Sequence, residues 1–590
     1  MRLGWDTTPR RQSWVPHPRR VSVLAPWVGY DTASDESKIV SKMFSPLAPI
    51  AVLPLSSVLF LAGCGSSVTV PPPPPPPPTT YSLTIDSTSP NTGVAITVLP
   101  ADNTNSANGA SPFTRTYNSG VTVTLTAPAT SGSSTFLSWS GCTSSSAVTC
   151  TVTLTANTTV TANYATPVAA VTYYVSGSGN DSSTGLTQAT AFLTLQHAAG
   201  LTQPGDTVYV MNGTYTNSCA SCSVLDISIP GTPAASITYA ALPGQTPVIS
   251  FNGWEGIFFE PTAAYIQVSG FTVVGNNYNV TLAQALAQSY TNPDPTLNGN
   301  CIALDGRQGT ATVRPNHIKI LNNTIYGCGG GGIGTAWSDY VTISGNTIYD
   351  SAWYSIYGSS AISTWENWNS DSSTGYKMII TGNRIFSNAN LVPTLGSAVA
   401  TDGEGIIVDS TRNDAYNPSI GLDPYTGRTY IANNVIYSNG SAAIEVFESN
   451  HVDVVNNSSY DDVYVPAVTG RGEMNVNEAT DVNVFNNIFS SAAGQNPVTV
   501  CCNATQVDLD YNIYFGGTNY AGTVSGPHDL AVDPLYVDPA DSNRLIVNLA
   551  VSPSSPAVGS GTPNLAPATD FLGNPRPGPK GYDRGAYQQQ

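Results

Sequence analysis

Residues that could act as bases, acids and sugar-binding groups are concentrated between residues 354 and 451 of this 590-residue chain. Lys377 and Arg428 are candidate bases, and His451 is a candidate proton donor. A base that removes the proton beside a uronate carboxylate breaks the neighbouring glycosidic bond by β-elimination, provided that a cation neutralises the carboxylate. These residue types predict a polysaccharide lyase as the first hypothesis.

Carboxylates in the same stretch support a second chemistry. Asp409 with Glu445 or Glu448 would form the pair that flanks the bond in a glycoside hydrolase, where the two groups lie roughly 5–9.5 Å apart. Asp402, Glu404 and Asp409 offer the oxygen ligands that Ca²⁺ prefers, so calcium is the cofactor that the sequence suggests. Hydrolysis stays open beside β-elimination, as does carbohydrate binding without catalysis.

Aromatic residues accompany these charged groups. Trp365, Trp368 and Tyr354 could stack on sugar rings, because an aromatic ring offers a large apolar face. Glu366 lies next to Trp365 and is assigned to the same substrate-binding surface. The alternative is that the rings pack beneath neighbouring loops, and the sequence leaves both readings open.

A repeated asparagine indicates how the chain positions these groups. Each copy follows a short strand rich in Val and Ile, and the shortest spacing between copies is 23 residues. The copies are Asn323, Asn346, Asn383, Asn434, Asn457, Asn487 and Asn512. Such a period indicates a solenoid whose coils stack about 4.8 Å apart. We expect the asparagines to form an internal hydrogen-bonded ladder with a structural role.

The ladder fixes a register that aligns two columns of side chains. The sixth residue before each asparagine should point outward, giving a polar column of His317, Tyr340, Lys377, Arg428, His451 and Asp481. Alignment of Ile302, Ile333, Ile362, Ile406 and Ile444 places Asp305, Ala336, Trp365, Asp409 and Phe447 in a second column. Insertions at 367–376 and 410–427 fall between the columns, and insertions on one face of a solenoid commonly build its binding site.

Composition and the N-terminal segment indicate an exported protein. Only 10% of residues are charged and the net charge is −18, which argues against a nucleic-acid partner. The apolar residues 44–61 lead into Leu61-Ala-Gly-Cys64, which resembles a bacterial lipobox. The resemblance implies a leader and lipoprotein signal peptide over 1–64 and lipidation of Cys64. We expect a monomer that is lipid-anchored at the cell surface or outer membrane, or secreted.

Motifs along the chain divide it into domains. After a Pro-rich linker at 65–79, residues 80–166 contain Phe136-Leu-Ser-Trp139 and resemble a divergent internalin-type bacterial repeat domain, in which Trp139 is a core residue. Residues 170–530 resemble the pectin-lyase-like superfamily, and residues 531–590 its C-terminal closing segment. The resemblance implies an all-β right-handed parallel β-helix that acts on an acidic polysaccharide.

The nine cysteines are interpreted for an oxidising compartment. Disulfides are the default state of close cysteine pairs in exported proteins. Cys142 with Cys150 and Cys219 with Cys222 are therefore expected to be bonded. The pairing of Cys301, Cys328, Cys501 and Cys502 is left open by the sequence.

Overall fold

A computed structural model describes residues 77–590 except residues 133, 166–168, 220, 414–421, 469, 518–519 and 522–524. Lipidation at Cys64, the leader and most of the Pro-rich linker fall outside the described residues. Contacts divide the chain into two compact units. The smaller contains Thr135–Ala165 with the strands that precede it, and the larger contains Thr166–Gln590.

The smaller unit consists of two five-stranded sheets. One sheet contains, in order, Phe113–Asn118, Thr80–Thr88, Thr158–Tyr164, Ser134–Ser140 and Thr130–Ser131. The other contains Gly109–Ala110, Ala95–Leu99, Thr122–Thr126, Thr149–Thr153 and Ser144–Ser146. Trp139 is 8% exposed, and its indole nitrogen donates to the carbonyl of Val148 at 2.8 Å. Trp139 is thus a core residue, as predicted.

The larger unit is an all-β right-handed parallel β-helix, which confirms the predicted fold class. Three parallel sheets run along it. The first sheet contains Thr172–Val175, Thr207–Val210, Ile237–Ala241, Ala264–Ser269, Asn316–Leu321, Asp339–Ser344, Tyr376–Thr381, Arg428–Ala432, Asn450–Val455, Thr480–Phe485 and Thr505–Asp510. The second contains Thr214–Thr216, Val248–Ser250, Thr272–Val274, Thr324–Tyr326, Thr347–Tyr349, Arg384–Phe386, Val435–Tyr437, Ser458–Tyr460, Ile488–Ser490 and Ile513–Phe515. The third contains Leu225–Ile227, Glu255–Phe259, Asn300–Asp305, Ile333–Ala336, Ile362–Trp365, Ile406–Asp409, Ile444–Phe447, Met474–Asn477, Val498–Cys501 and Tyr520–Ala521.

Short helices and one hairpin complete the larger unit. The α-helices are Leu195–Ala199, Leu282–Leu286 and Pro295–Asn298, and the 3₁₀ helices are Gln188–Thr190, Asn277–Asn279, Pro466–Val468 and Arg544–Ile546. The strands Tyr536–Asp538 and Asn548–Val551 pair antiparallel. Across the described ranges, every helix is too short or too polar to cross a membrane.

Inward Ile and Val side chains form one continuous core inside the coils. The predicted asparagine ladder lies at the bend between the first and second sheets, and the structure confirms it. The Asn383 amide, for example, donates to Asn434 Oδ1 at 2.9 Å and accepts from Asn346 Nδ2 at 3.0 Å. All seven predicted asparagines are linked in this way.

Three disulfides cross-link the described chain. They join Cys142 to Cys150, Cys219 to Cys222, and Cys301 to Cys328. The last pair links residues whose pairing the sequence left open, while Cys501 and Cys502 are free thiols.

The C-terminal segment packs along the outer side of the second sheet. Phe386 and Tyr437 of that sheet are buried against Val547, Leu549 and Tyr587. The outer side of the second sheet is therefore covered by the C-terminal segment at these residues.

Candidate active site on the outer face of the third sheet

Long loops of the β-helix flank the third sheet on both edges. Residues 275–299, 350–361 and 387–405 lead into its strands, and residues 306–315, 366–375 and the described parts of the third connection, 410–413 and 422–427, lead out of them. The outer face of the third sheet therefore lies between two walls of loops. Because loops carried on a rigid scaffold commonly hold functional groups, this face is the candidate site.

The register predicted for this sheet is confirmed. Asp305, Ala336, Trp365, Asp409 and Phe447 are aligned neighbours on successive strands. The following residue in several coils has a positive φ, as at Trp337, Glu366 and Glu448. This left-handed bend turns the chain out of the third sheet.

Glu366 is the acid of this face with the most distinctive environment. Its side chain is 2% exposed, and Trp337 Nε1 donates to Glu366 Oε2 at 2.8 Å. Burial raises the pKa of Glu366 to about 7, against the lowering effects of the Trp337 hydrogen bond and the charge of Arg307. This carboxyl is therefore about half protonated near neutral pH.

Asp409 lies one coil beyond Glu366. The main-chain N–H of Glu366 donates to the carbonyl of Asp409 at 3.0 Å, which fixes the two residues beside each other. The Asp409 side chain is partly exposed and accepts a hydrogen bond from Ser410 Oγ at 2.7 Å. A buried acid and a partly exposed carboxylate thus occupy neighbouring coils.

The aromatic residues predicted to stack on sugars are buried instead. Trp365 is 5% exposed and packs on Ala336 and Trp337, while Trp368 is 9% exposed. Tyr354 packs with Ile356 and other apolar side chains of the flanking loops. Of the two readings that the sequence left open, this burial favours packing beneath the neighbouring loops, and stacking of these rings on sugars stays a prediction.

Lys377 is not outward, and the structure does not support it as a base. A bulge pairs Tyr376 with Arg428 and Met378 with Thr429, so Lys377 is an extra residue, and it is buried. Its ammonium group is 3.1 Å from Asp339 and 2.9 Å from Asp371, with the side chain fully buried. Although burial lowers the pKa of Lys377, its hydrogen bond to Asp371 and the charge of Asp339 raise it above the usual value.

The pair of Lys377 and Asp339 anchors both insertions. Asp339 also accepts hydrogen bonds from Ser370 Oγ in one insertion and from the Tyr425 hydroxyl in the other, each at 2.7 Å. Tyr425 is 3% exposed. The role of Lys377 is therefore to hold the walls of the face together.

Arg428 and His451 belong to a separate network on the first sheet. Arg428 makes two bonds to Asp481, at 2.8 and 2.9 Å, and one to Asp453 at 3.0 Å. His451 Nδ1 lies 2.6 Å from Asp481 Oδ2. These residues bind one another, and the structure gives neither of them a contact with Glu366 or Asp409.

Glu445 and the predicted calcium ligands are also committed to other partners. Arg471 bridges Glu404 and Glu445, and both carboxylates are fully buried. Ser360 and Ser441 donate to Glu404. Throughout the part of the chain that the structure describes, no group of three His, Cys, Asp or Glu side chains could hold a metal ion. Glu404 is thus bonded to Arg471, Ser360 and Ser441, and calcium binding by Asp402, Glu404 and Asp409 stays a prediction.

Sequence reasoning missed Arg314, which lies in the loop 306–315. Its guanidinium carbon is 4.4 Å from the ring centre of Trp337 and 6.0 Å from that of Trp368. A signal was present in the sequence, since residues 306–338 contain no Asp or Glu to pair with this arginine.

The chain was compared with known families and structures. Residues 88–167 match the family of divergent InlB B-repeat domains. No curated protein is similar enough in sequence to count as a relative. The chain thus combines a region that matches the divergent InlB B-repeat family with a parallel β-helix that follows it.

Solved structures with related folds include enzymes that act on carbohydrates. A pectate lyase is 15% identical, with 71% of this chain and 96% of that chain covered and a TM-score of 0.42. A rhamnogalacturonan lyase is 16% identical, with 63% and 91% covered and a TM-score of 0.35. A lacto-N-biosidase from Eubacterium ramulus is 16% identical, with 58% and 56% covered and a TM-score of 0.34. At these values no activity is transferred to this chain.

Proposed function

We propose that this protein cleaves glycosidic bonds of a polysaccharide on the outer face of the third sheet, with Glu366 as the proton donor. The observation that carries the proposal is the burial of Glu366 against Trp337, which raises its pKa to about 7, one coil from Asp409. General acids work best when their pKa lies near the operating pH.

The proposed reaction is hydrolysis by two carboxyl groups. Protonated Glu366 gives its proton to the glycosidic oxygen as that bond breaks. Asp409 either takes a proton from the water that attacks the sugar carbon, or attacks that carbon itself to form a glycosyl ester that water then hydrolyses. The neighbouring coils stack about 4.8 Å apart, a spacing that lets two side chains flank one bond.

Hydrolysis is favoured over the β-elimination first predicted from Lys377, Arg428 and His451. Lys377 is enclosed with Asp339, while Arg428 and His451 are bonded to Asp481. A lyase would therefore need a different base. The export predictions belong to the same proposal: the enzyme is a monomer anchored through a lipid on Cys64, which places its site where extracellular polymers reach it.

The test uses the full chain on a panel of neutral and acidic polysaccharides. Hydrolysis releases reducing sugar without the ultraviolet absorbance of an unsaturated product, whereas β-elimination gives both. Glu366→Gln should lower kcat by about 10²–10⁴-fold, because it removes the transferable proton. Full activity of Glu366→Gln would overturn the assignment, and the ultraviolet band would overturn hydrolysis.

A matched control is available in the same column. Glu478 occupies the equivalent bend three coils further on, also with a positive φ. Glu478→Gln makes the same chemical change and should leave kcat within twofold. A protein that binds a polymer of the panel but cleaves none would be an adhesion module instead.

A further inference from the structure

Arg314 is a buried cation without a counter-ion. The residue is 6% exposed, its Nε donates to the carbonyl of Thr310 at 2.9 Å, and its Nη1 is buried without a hydrogen-bond partner. Within the described ranges, no carboxylate forms an ion pair with it. Desolvation lowers the pKa of Arg314, yet an arginine remains protonated at neutral pH.

Three other cations around the loops have carboxylate partners, unlike Arg314. Arg307 is paired with Asp305, and Lys377 with Asp339. Arg471 is shared by Glu404 and Glu445. Arg307, Lys377 and Arg471 are thus each paired with at least one carboxylate, whereas Arg314 is paired with none in the described ranges.

Keeping a buried charge unpaired is costly, since a charge taken out of water needs a partner or a full set of hydrogen bonds. The guanidinium stacks 4.4 Å from the centre of the Trp337 ring, which gives it only partial compensation. Its unpartnered N–H groups remain suited to an incoming acceptor. A carboxylate or sulfate matches the planar fork of a guanidinium.

Trp337 connects Arg314 to the proposed proton donor. One face of its indole lies against Arg314, and its Nε1 donates to Glu366. An anion bound by Arg314 would therefore lie about one indole ring from the carboxyl of Glu366. That separation suits two groups acting on a single sugar unit or on adjacent ones.

We propose that Arg314 binds the anionic substituent, a carboxylate or a sulfate ester, of a sugar beside the bond that Glu366 protonates. This inference rests on the proposed function for its location, and it assigns a specific binding residue to the acidic polysaccharide that is expected from the sequence.

The test measures binding separately from cleavage. Titration calorimetry would use the full chain carrying Glu366→Gln, with oligosaccharides of polygalacturonate, alginate and chondroitin sulfate, and with carboxyl-reduced oligogalacturonate as the neutral probe. We expect at least one acidic probe to bind more tightly than the neutral one. Adding Arg314→Met should weaken that acidic probe about 10- to 100-fold and leave neutral binding unchanged, as for a charge-assisted hydrogen bond.

Lys319 supplies the matched control. It lies on the strand that follows the loop of Arg314 and its side chain is exposed, so Lys319→Met removes one charge of the same sign from the same coil. It should change acidic binding by less than about twofold, as expected for a screened surface charge.

The outcomes separate the two proposals. Unchanged acidic binding in Arg314→Met, equal losses for acidic and neutral probes, or no acidic binding at all would overturn the role of Arg314. If Glu366→Gln alone keeps full activity while Arg314→Met loses acidic binding, the proton donor is wrong and the anion site stands. Carboxylate and sulfate are distinguished by which probe binds.

Discussion

The asparagine ladder and the outer face of the third sheet differ in how completely their buried side-chain amides are hydrogen-bonded. At the ladder, Asn383 is fully buried and its side chain both donates to and accepts from the asparagines of neighbouring coils. On the face, Asn367 is equally buried, but neither atom of its amide has a partner in the described part of the chain. The buried amide is therefore fully bonded at Asn383, which stacks in the ladder, and unbonded at Asn367, which follows the proposed proton donor.

Two buried cations show the same difference. Lys377 has two carboxylates within 3.1 Å, and Arg314 has none among the described residues. Lys377 is part of the packing of the insertions, whereas Arg314 is held against aromatic rings with hydrogen-bonding capacity to spare. The comparison teaches that a buried cation is a candidate for binding an anionic ligand when its counter-ions are missing.

The largest expected effect comes from replacing these two cations by methionine. Lys377→Met leaves Asp339 buried without its charge partner, which should cost about 3–5 kcal/mol of the free energy of unfolding. Arg314→Met removes a charge without leaving a buried counter-ion unpaired. It should therefore change the free energy of unfolding by less than about 1 kcal/mol. Urea denaturation midpoints of the two variants check both values.

The insertions offer a second measurement for the same pair of variants. Since Asp339 receives hydrogen bonds from Ser370 and Tyr425, Lys377→Met should speed hydrogen exchange in both insertions. Arg314→Met should leave exchange there as in the wild type. Equal destabilisation by the two substitutions would contradict the distinction between paired and unpaired cations.

The sequence predicted the fold well because stacking is periodic. Counting from the asparagines and the aligned isoleucines gave the ladder and the column through Trp365 and Asp409. It failed at Lys377, since the bulge inserts one residue that no count of spacing reveals. It also could not tell that Trp365 and Trp368 are covered, because burial here depends on how non-repeating loops fold.

A smaller effect is expected from the protonation of Glu366. Its pKa rises from 4.5 to about 7 on folding, so the folded state holds the proton more tightly than the unfolded state. The contribution of this carboxyl to the free energy of unfolding is fully present below pH 4.5. It is lost as the pH rises to about 7, and the loss amounts to about 3 kcal/mol. Glu366→Gln should flatten the dependence of the unfolding free energy on pH in this window.

Urea denaturation of wild type and Glu366→Gln between pH 4.5 and 7.5 measures this contribution. Glu478→Gln controls for the loss of one carboxylate in the same column. Other buried acids add to the wild-type slope, since burial also raises the pKa of Glu473 to about 7. Only the difference between the curves therefore reports Glu366, and parallel curves would place its titration outside this range.

The smallest effect sharpens the comparison of the two asparagines. Asn383→Ala strands the amide of Asn346 and the carbonyl of Ile343, so it should cost about 1–3 kcal/mol of unfolding free energy. Asn367→Ala removes an amide that has no partners, and should be neutral or slightly stabilising, by less than about 1 kcal/mol. Both substitutions delete the same atoms from fully buried positions. The difference between their urea denaturation midpoints therefore reports the difference in hydrogen bonding. If the two variants lose equal stability, the Asn367 amide has partners after all, and the outer face of the third sheet is as completely bonded as the ladder.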